Sequence, residues 1–308
     1  MNTKRKVSMA CKFLGKDLKS PLVLPAGVLG MTASSLLRVV ECGAGMVTTK
    51  SFSLKPREGH KGPVIIEFKA GILNSMGISN PGITEGLQEI ELFKEKSDTP
   101  LIVSVFGLNL NEFVELTNIV NDSRADFIEL NLSCPNVFDE VTPFFTSIEN
   151  MVKIVEAVKG ISKKPVIVKL PPGNRIREIV QELEKVKVDA VSLINTLPGM
   201  VIDIKFAKPV LTNKFGGISG PAIKPLAIKL VYEVKEVTNL PTIGIGGVLT
   251  GEDAIEMMMA GAECVGIGAG IYYRGIEIFK KVNRGIKKFM RQNGYTNLGQ
   301  IIGKAHNA

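Results

Sequence analysis

The chain has 308 residues, 45% hydrophobic and 22% charged, with a formal net charge of +8. That balance belongs to a folded globular protein and excludes a disordered tail, a fibre or a disulfide-dense scaffold. No run approaches the roughly 18 apolar residues of a membrane-spanning helix. The opening MNTKRKVSMA has no apolar stretch before Lys12, so no secretory signal is expected and the cytoplasm is the expected compartment.

From the N-terminus onward, short apolar runs of strand length alternate with longer amphipathic stretches. Strands are expected at 22–25, 46–50, 101–106, 127–131, 165–170, 190–195, 242–246 and 265–268. Helices are expected at 34–41, 84–94, 110–120, 148–159, 175–186, 223–237, 252–259 and 276–290. Eight such alternations predict an α/β fold, a TIM (β/α)8 barrel forming one domain over residues 1–308. The long gaps at 51–81 and 196–220 read as insertions after strands two and six. A doubly wound open sheet is the alternative, but its glycine-rich phosphate turn belongs after the first strand, where only Pro25-Ala26-Gly27 stands.

The glycines concentrate instead at 244–247 (GIGG) and 266–270 (GIGAG), closing strands seven and eight. Glycine lets a backbone approach a ligand closely, and these two loops of a barrel commonly hold a phosphate. Tight turns that bind nothing are the plainer reading of either cluster alone. Polar residues recur where strands end: Lys50, Asn131, Lys169 and Asn195. A lysine in PVIVKLPPG is costly to bury without an anion, although many lysines simply reach the rim. Two lysines and two asparagines from four strands point to a ligand with phosphate, carboxylate or carbonyl oxygens. The asparagines at 74, 80, 131, 136 and 195 are expected to face one mouth and to suit a small planar substrate bearing C=O and N–H groups.

Only His60 and His306 are present, and the four cysteines (11, 42, 134 and 264) form no CxxC. A zinc or iron–sulfur site held by this chain is therefore not expected, nor is histidine-centred catalysis. Cys11, Cys42 and Cys264 read as packing residues. Cys134 falls in a predicted loop after strand four, between Asn131 and Asn136 and beside Pro135, which makes it the candidate base or nucleophile. The basic charge is interleaved with Glu and lacks a basic–aromatic stripe, so nucleic acid is not the expected partner. An anionic small substrate or an acidic protein suits it better.

The motifs TTKSFSLKPREG, NSMGISNPG, ELNLSCPN, VIVKLPPG, INTLPGMVID, NKFGGISGPAIKP and GIGGVLTGEDAIEMMMAGA together resemble class 1 dihydroorotate dehydrogenases, in order and over residues 13–289. NTLPGM and the cysteine of NLSCPN are most similar to subclass 1B. The resemblance implies an FMN-bound barrel that oxidises dihydroorotate to orotate in pyrimidine biosynthesis. It implies Cys134 as the base at C5 while hydride leaves C6 for the flavin. Lys50, Asn74, Ser75, Met76, Gly77, Ile78, Asn131, Asn195 and Thr196 would contact substrate. Ala26, Lys50, Ser51, Ser104, Asn131, Lys169, Ile194, Gly220, Gly246, Gly247, Gly268 and Ala269 would contact FMN. Ser104, Ala26 and Ala269 depart from the usual Asn, Ser and Thr. The subclass further implies a partner subunit with FAD and a 2Fe–2S cluster, in a heterotetramer, with a homodimer as the alternative. Two rival functions stand beside this one: an FMN-dependent dehydrogenase of uracil or thymine, and a barrel scaffold without catalysis.

Overall fold

The computed structural model describes residues 7–133 and 147–307. Eight parallel strands close into a barrel in sequence order: β1 (Leu22–Leu24), β2 (Met46–Thr48), β3 (Leu101–Val105), β4 (Phe127–Asn131), β5 (Val166–Leu170), β6 (Ala190–Leu193), β7 (Thr242–Ile245) and β8 (Cys264–Gly266). Among the described residues eight helices of nine or more residues flank them: α1 (Ala33–Glu41), α2 (Ile83–Lys96), α3 (Leu110–Asn121), α4 (Ile148–Ile161), α5 (Ile176–Lys185), α6 (Lys224–Val237), α7 (Gly251–Met259) and α8 (Ile278–Gln292). The expected TIM barrel is the observed fold. Several strands stop a residue or more before their expected ends because the chain there turns toward the mouth. The Lys50 N–H, for example, bonds the Gly30 carbonyl at 2.8 Å and leaves the barrel ladder.

Side chains alternate between two cores. Outward residues such as Val103, Leu130, Val168 and Val191 pack against the helices. Inward, each strand gives one residue to a lower plug: Val23, Met46, Ile102, Phe127, Ile167, Ala190, Ile243 and Cys264. An N-terminal hairpin, Cys11–Phe13 with Lys16–Leu18, seals this plug from below with Phe13 and Leu18. Its turn has positive φ at both Leu14 and Gly15, the twist that a two-residue hairpin prefers. Phe13 meets Phe127 edge-on at 6.1 Å. This hairpin was not among the expected elements.

The strand bottoms carry a repeated clamp. Asp126, Asp189 and Glu263, each just before an even-numbered strand, accept the first N–H of the strand before: Leu101, Val166 and Thr242, at 2.9, 2.7 and 2.6 Å. A lysine from the helix ahead of that strand (Lys94, Lys159 or Lys235) lies within ion-pair distance of each acid. At the fourth position neutral groups serve. The Leu22 N–H meets Ser20 Oγ at 3.2 Å, and Asn283 of α8 accepts from Ser20 and donates to the Gly43 carbonyl.

The two insertions expected after strands two and six build one sheet. Ile65–Phe68 and Gly71–Asn74 come from the first, Leu197–Gly199 and Gly216–Ser219 from the second. They join antiparallel with Gly217 opposite Asn74. Among the described residues no helix is long and apolar enough to cross a membrane.

Candidate active site

Above the apolar plug the barrel interior turns polar. The inward positions above the plug are Thr48, Ser104, Glu129, Lys169 and Ser192, all buried and in phase with the plug residues two positions before them. Over this level the strand ends and the insertion sheet enclose a cavity of about 400 Å³, within the range of small-molecule sites.

Lys50, Ser51, Asn131, Lys169, Ile194, Asn195 and Thr196 reach the cavity from strand ends. Asn74, Met76, Gly77 and Ile78 reach it from the first insertion and Gly220 from the second. Ala26, Gly246, Gly247, Gly268 and Ala269 close its far side. Lys50 and Lys169 are the charged side chains among the described residues that line it. Two ammonium groups reaching one cavity favour an anionic ligand there. Lys169 Nζ lies 3.5 Å from the Ala26 carbonyl and Lys50 Nζ 3.4 Å from that of Gly27.

One hydrogen-bond chain fixes the polar wall. Ser104 Oγ and Ser51 Oγ lie 2.9 Å apart, and Asn131 Nδ2 donates to Ser51 at 3.0 Å. Ser133 Oγ donates to Asn131 Oδ1 at 2.9 Å, and Asn195 Nδ2 donates to both the Ser133 hydroxyl and carbonyl. Asn195 Oδ1 then accepts from the Thr196 N–H at 2.8 Å. The chain joins β2, β3, β4 and β6, so each amide arrives at the mouth with its orientation already set. Asn74 is held separately, Nδ2 donating to the Gly217 carbonyl across the insertion sheet.

The glycine side is built for backbone approach. Gly246 and Gly247 have φ of +143° and +71°, and a Cβ on Gly247 would lie 2.5 Å from the Lys224 Cβ. No other residue fits that turn without displacing α6.

Two residues expected at the wall stand behind it. Ser104 is fully buried and touches the site through Ser51, because its side chain is too short to pass that hydroxyl. Ser75 turns into the insertion and bonds His60 Nδ1 at 2.8 Å. Asn80, expected at the mouth, instead ties its own loop together: Oδ1 accepts from the Ser53 and Gly82 N–H groups, and Nδ2 donates to the Ile78 carbonyl. Cys134 and Asn136 lie outside the described residues. Of the other cysteines, burial pushes the Cys42 thiol up, and the hydrogen bond that Cys264 donates to Cys11, together with burial, pushes Cys264 well up. Neither is suited to act as a thiolate. Sequence reading missed Pro25, Val28, Ser219 and Tyr272 in the lining, and Ser133 in the wall. Ser133 carried a signal, since it sits two residues beyond an inward Asn131.

The residues suit a flavin mononucleotide. A glycine cradle without side chains lies at one end, an ammonium sits on the floor, and amides occupy the other end beside the space a ring would need.

Sequence comparison agrees with the geometry. The family model for dihydroorotate dehydrogenase matches residues 8–290. The chain is 44% identical to the catalytic subunit of dihydroorotate dehydrogenase B (NAD(+)) from Methanocaldococcus jannaschii, covering 95% of this chain and 96% of that one. The same-named subunits of Methanothermobacter thermautotrophicus and Pyrococcus furiosus are 43% and 41% identical, covering 94% and 97% of this chain and 96% and 99% of theirs.

Proposed function

The chain belongs to the dihydroorotate dehydrogenase family, and on that premise we propose how its residues carry out the oxidation of dihydroorotate to orotate in pyrimidine biosynthesis. The observation that carries the reading is the convergence of Lys50, Asn74, Asn131, Asn195 and Thr196, from four separate parts of the chain, on one cavity that Lys169 also lines.

The substrate is a small ring with two carbonyls, two N–H groups and a carboxylate. Asn74, Asn131 and Asn195 can each donate and accept, which matches an imide edge. Lys50 is the cation available to the carboxylate, with Thr196 and the Met76–Gly77–Ile78 backbone beside it. Ser75 supports this segment through His60, and Ser104 supports Ser51. Cys134, next in the chain after the hydrogen-bonded Ser133, is the base that takes the C5 proton. Its ordinary pKa of about 8.5 needs only a modest lowering to give a useful thiolate fraction at neutral pH.

FMN is the cofactor in this reading. Gly220, Gly246, Gly247, Gly268 and Ala269 would hold its phosphate and ribityl chain, and Ala26, Lys50, Ser51, Asn131, Lys169 and Ile194 its ring system. When bound, FMN supplies the two-electron acceptor for the hydride leaving C6. The protein's part is to orient the ring, exclude water and hold the proton acceptor at C5. The relatives are named as catalytic subunits of an NAD(+) enzyme. By extension, this chain forms the core of a heteromer whose second subunit carries FAD and a 2Fe–2S cluster and passes electrons to NAD. A single domain and a cytoplasmic location belong to the same reading.

The test is an absorbance spectrum of the purified chain followed by anaerobic addition of dihydroorotate. Bleaching of a yellow flavin band, with tight binding of orotate but not uracil, is the expected result. A colourless protein that FMN cannot reconstitute would overturn it.

A further inference from the structure

Among the described residues, Glu129 and Lys169 are the only charged side chains that the fold buries, at 2% and 5% exposure. They stand on neighbouring strands, β4 and β5, and both point into the barrel, in phase with Phe127 and Ile167 of the plug. The register sets Glu129 beside Ile167 and Asn131 beside Lys169, so the two charges lie one level apart on the same face. They are nevertheless not joined directly. Lys169 Nζ turns up toward the Ala26 carbonyl. Glu129 Oε2 accepts from Ser192 Oγ at 2.7 Å, and its Oε1 is buried with no partner.

A buried charge with no opposite charge near it is strongly destabilising, and in a low-dielectric interior opposite charges couple without touching. Each of these two groups is the only buried counter-charge the other has among the described residues. We propose that Glu129 is the internal counter-ion of Lys169, a positioning residue that balances the ammonium beneath the cavity and sets the potential of the group bound above it. The orphaned Oε1 is the side of the carboxylate left to face that ammonium, directly or through an internal water. For redox chemistry, the two charges act in opposite senses. Lys169 favours added electrons in a ring held over it, and Glu129, one level below, disfavours them. This second consequence rests on the flavin reading given above.

Two measurements test the proposal. The first is thermal unfolding of the flavin-free full chain as wild type, E129Q, K169M and the double variant. Each single change strands one charge and lowers the midpoint, and the double change recovers most of the loss. Losses that simply add overturn the proposal. If E129Q does not accumulate folded, the double variant does, and a double variant that also fails to fold overturns it equally. The second is the flavin midpoint potential of the holoenzyme. It shifts positive in E129Q, which keeps the shape and the Ser192 contact, and returns toward wild type in E129D. An unchanged potential in E129Q overturns the tuning role. If the wild type binds no flavin, the flavin reading fails, and the unfolding cycle still decides the counter-ion.

Discussion

Asn80 shows how an amide motif can be read correctly as a turn yet wrongly as a ligand contact. Its side chain meets two backbone N–H groups and a carbonyl inside the first insertion, all buried. Asn80→Ala orphans those N–H groups at about 1–3 kcal/mol each. We expect a lower midpoint in urea and a raised KM for dihydroorotate, since Met76–Ile78 hang from that loop. A variant with wild-type stability would refute the knot. Cys134→Ala should leave bound flavin unchanged and slow flavin reduction by dihydroorotate by about 10²-fold or more, the low end of what a positioned base contributes. Stopped-flow reduction at the wild-type rate would remove cysteine from the mechanism. At this scale the sequence was legible where period and chemistry coincide: Lys50, Asn131, Lys169 and Asn195 are polar residues at the ends of apolar strands, and all line the cavity. It was not legible at Ser104 and Ser75, because one side chain's length decides whether a hydroxyl is wall or support. Glu129 was also hidden, since a charge in the middle of a strand does not say which way it faces until the barrel closes.

The eight strands and eight helices were readable because parallel strands buried on both faces are continuous apolar runs, set apart from amphipathic helices by period. The insertion sheet was not, because it pairs Asn74 with Gly217, residues whose local sequences carry turn signals rather than alternation. The N-terminal hairpin escaped for a similar reason: two three-residue strands are too short to show a period. Between helices, α7 and α8 meet backbone against backbone. A Cβ on Gly285 would lie 2.8 Å from the Gly251 Cα, and one on Gly251 2.6 Å from the Gly285 Cα. Backbone against backbone leaves nothing to move aside. Gly285→Val should therefore cost about 3 kcal/mol, the upper end for overpacking, despite the gain over glycine in helix propensity. Chemical denaturation gives the number, and a loss below measurement error would show that the helices can part.

Across the whole molecule, the closed bottom carries stability and the open top carries chemistry, the usual division of a barrel. Asp126 joins the hairpin, α2 and β3: Lys16 at 2.6 Å, Lys94 at 2.9 Å and the Leu101 N–H. Burial alone would push its carboxyl up, but hydrogen bonds from Lys16, Leu101 and Lys94 hold it below the usual range. A carboxyl lowered in the folded state contributes stability above its unfolded pKa of about 3.9, and loses it as pH falls through the folded value. Asp126→Asn should thus be less stable than wild type by about 1.5–3 kcal/mol at pH 7. The gap should shrink as pH drops below about 4, where the unfolded chain takes up a proton that the folded Asp126 still resists, and close once pH passes the folded value. Equal gaps at pH 7 and pH 3 would show that the charge plays no part. The substrate mouth, built from other residues, should keep its orotate affinity in this variant.

The carboxylates at 126, 189 and 263 have one more consequence. Each gathers the end of one helix, the first amide of the next strand and the start of the strand after that, and Ser20 with Asn283 does the same using the two ends of the chain. The ring is thus stitched from four quarters, helix–strand–helix–strand, with seams that fall between stitches. Exchanging a whole quarter with a relative would leave every stitch intact, whereas a crossover inside one would part an acid from the amide it holds.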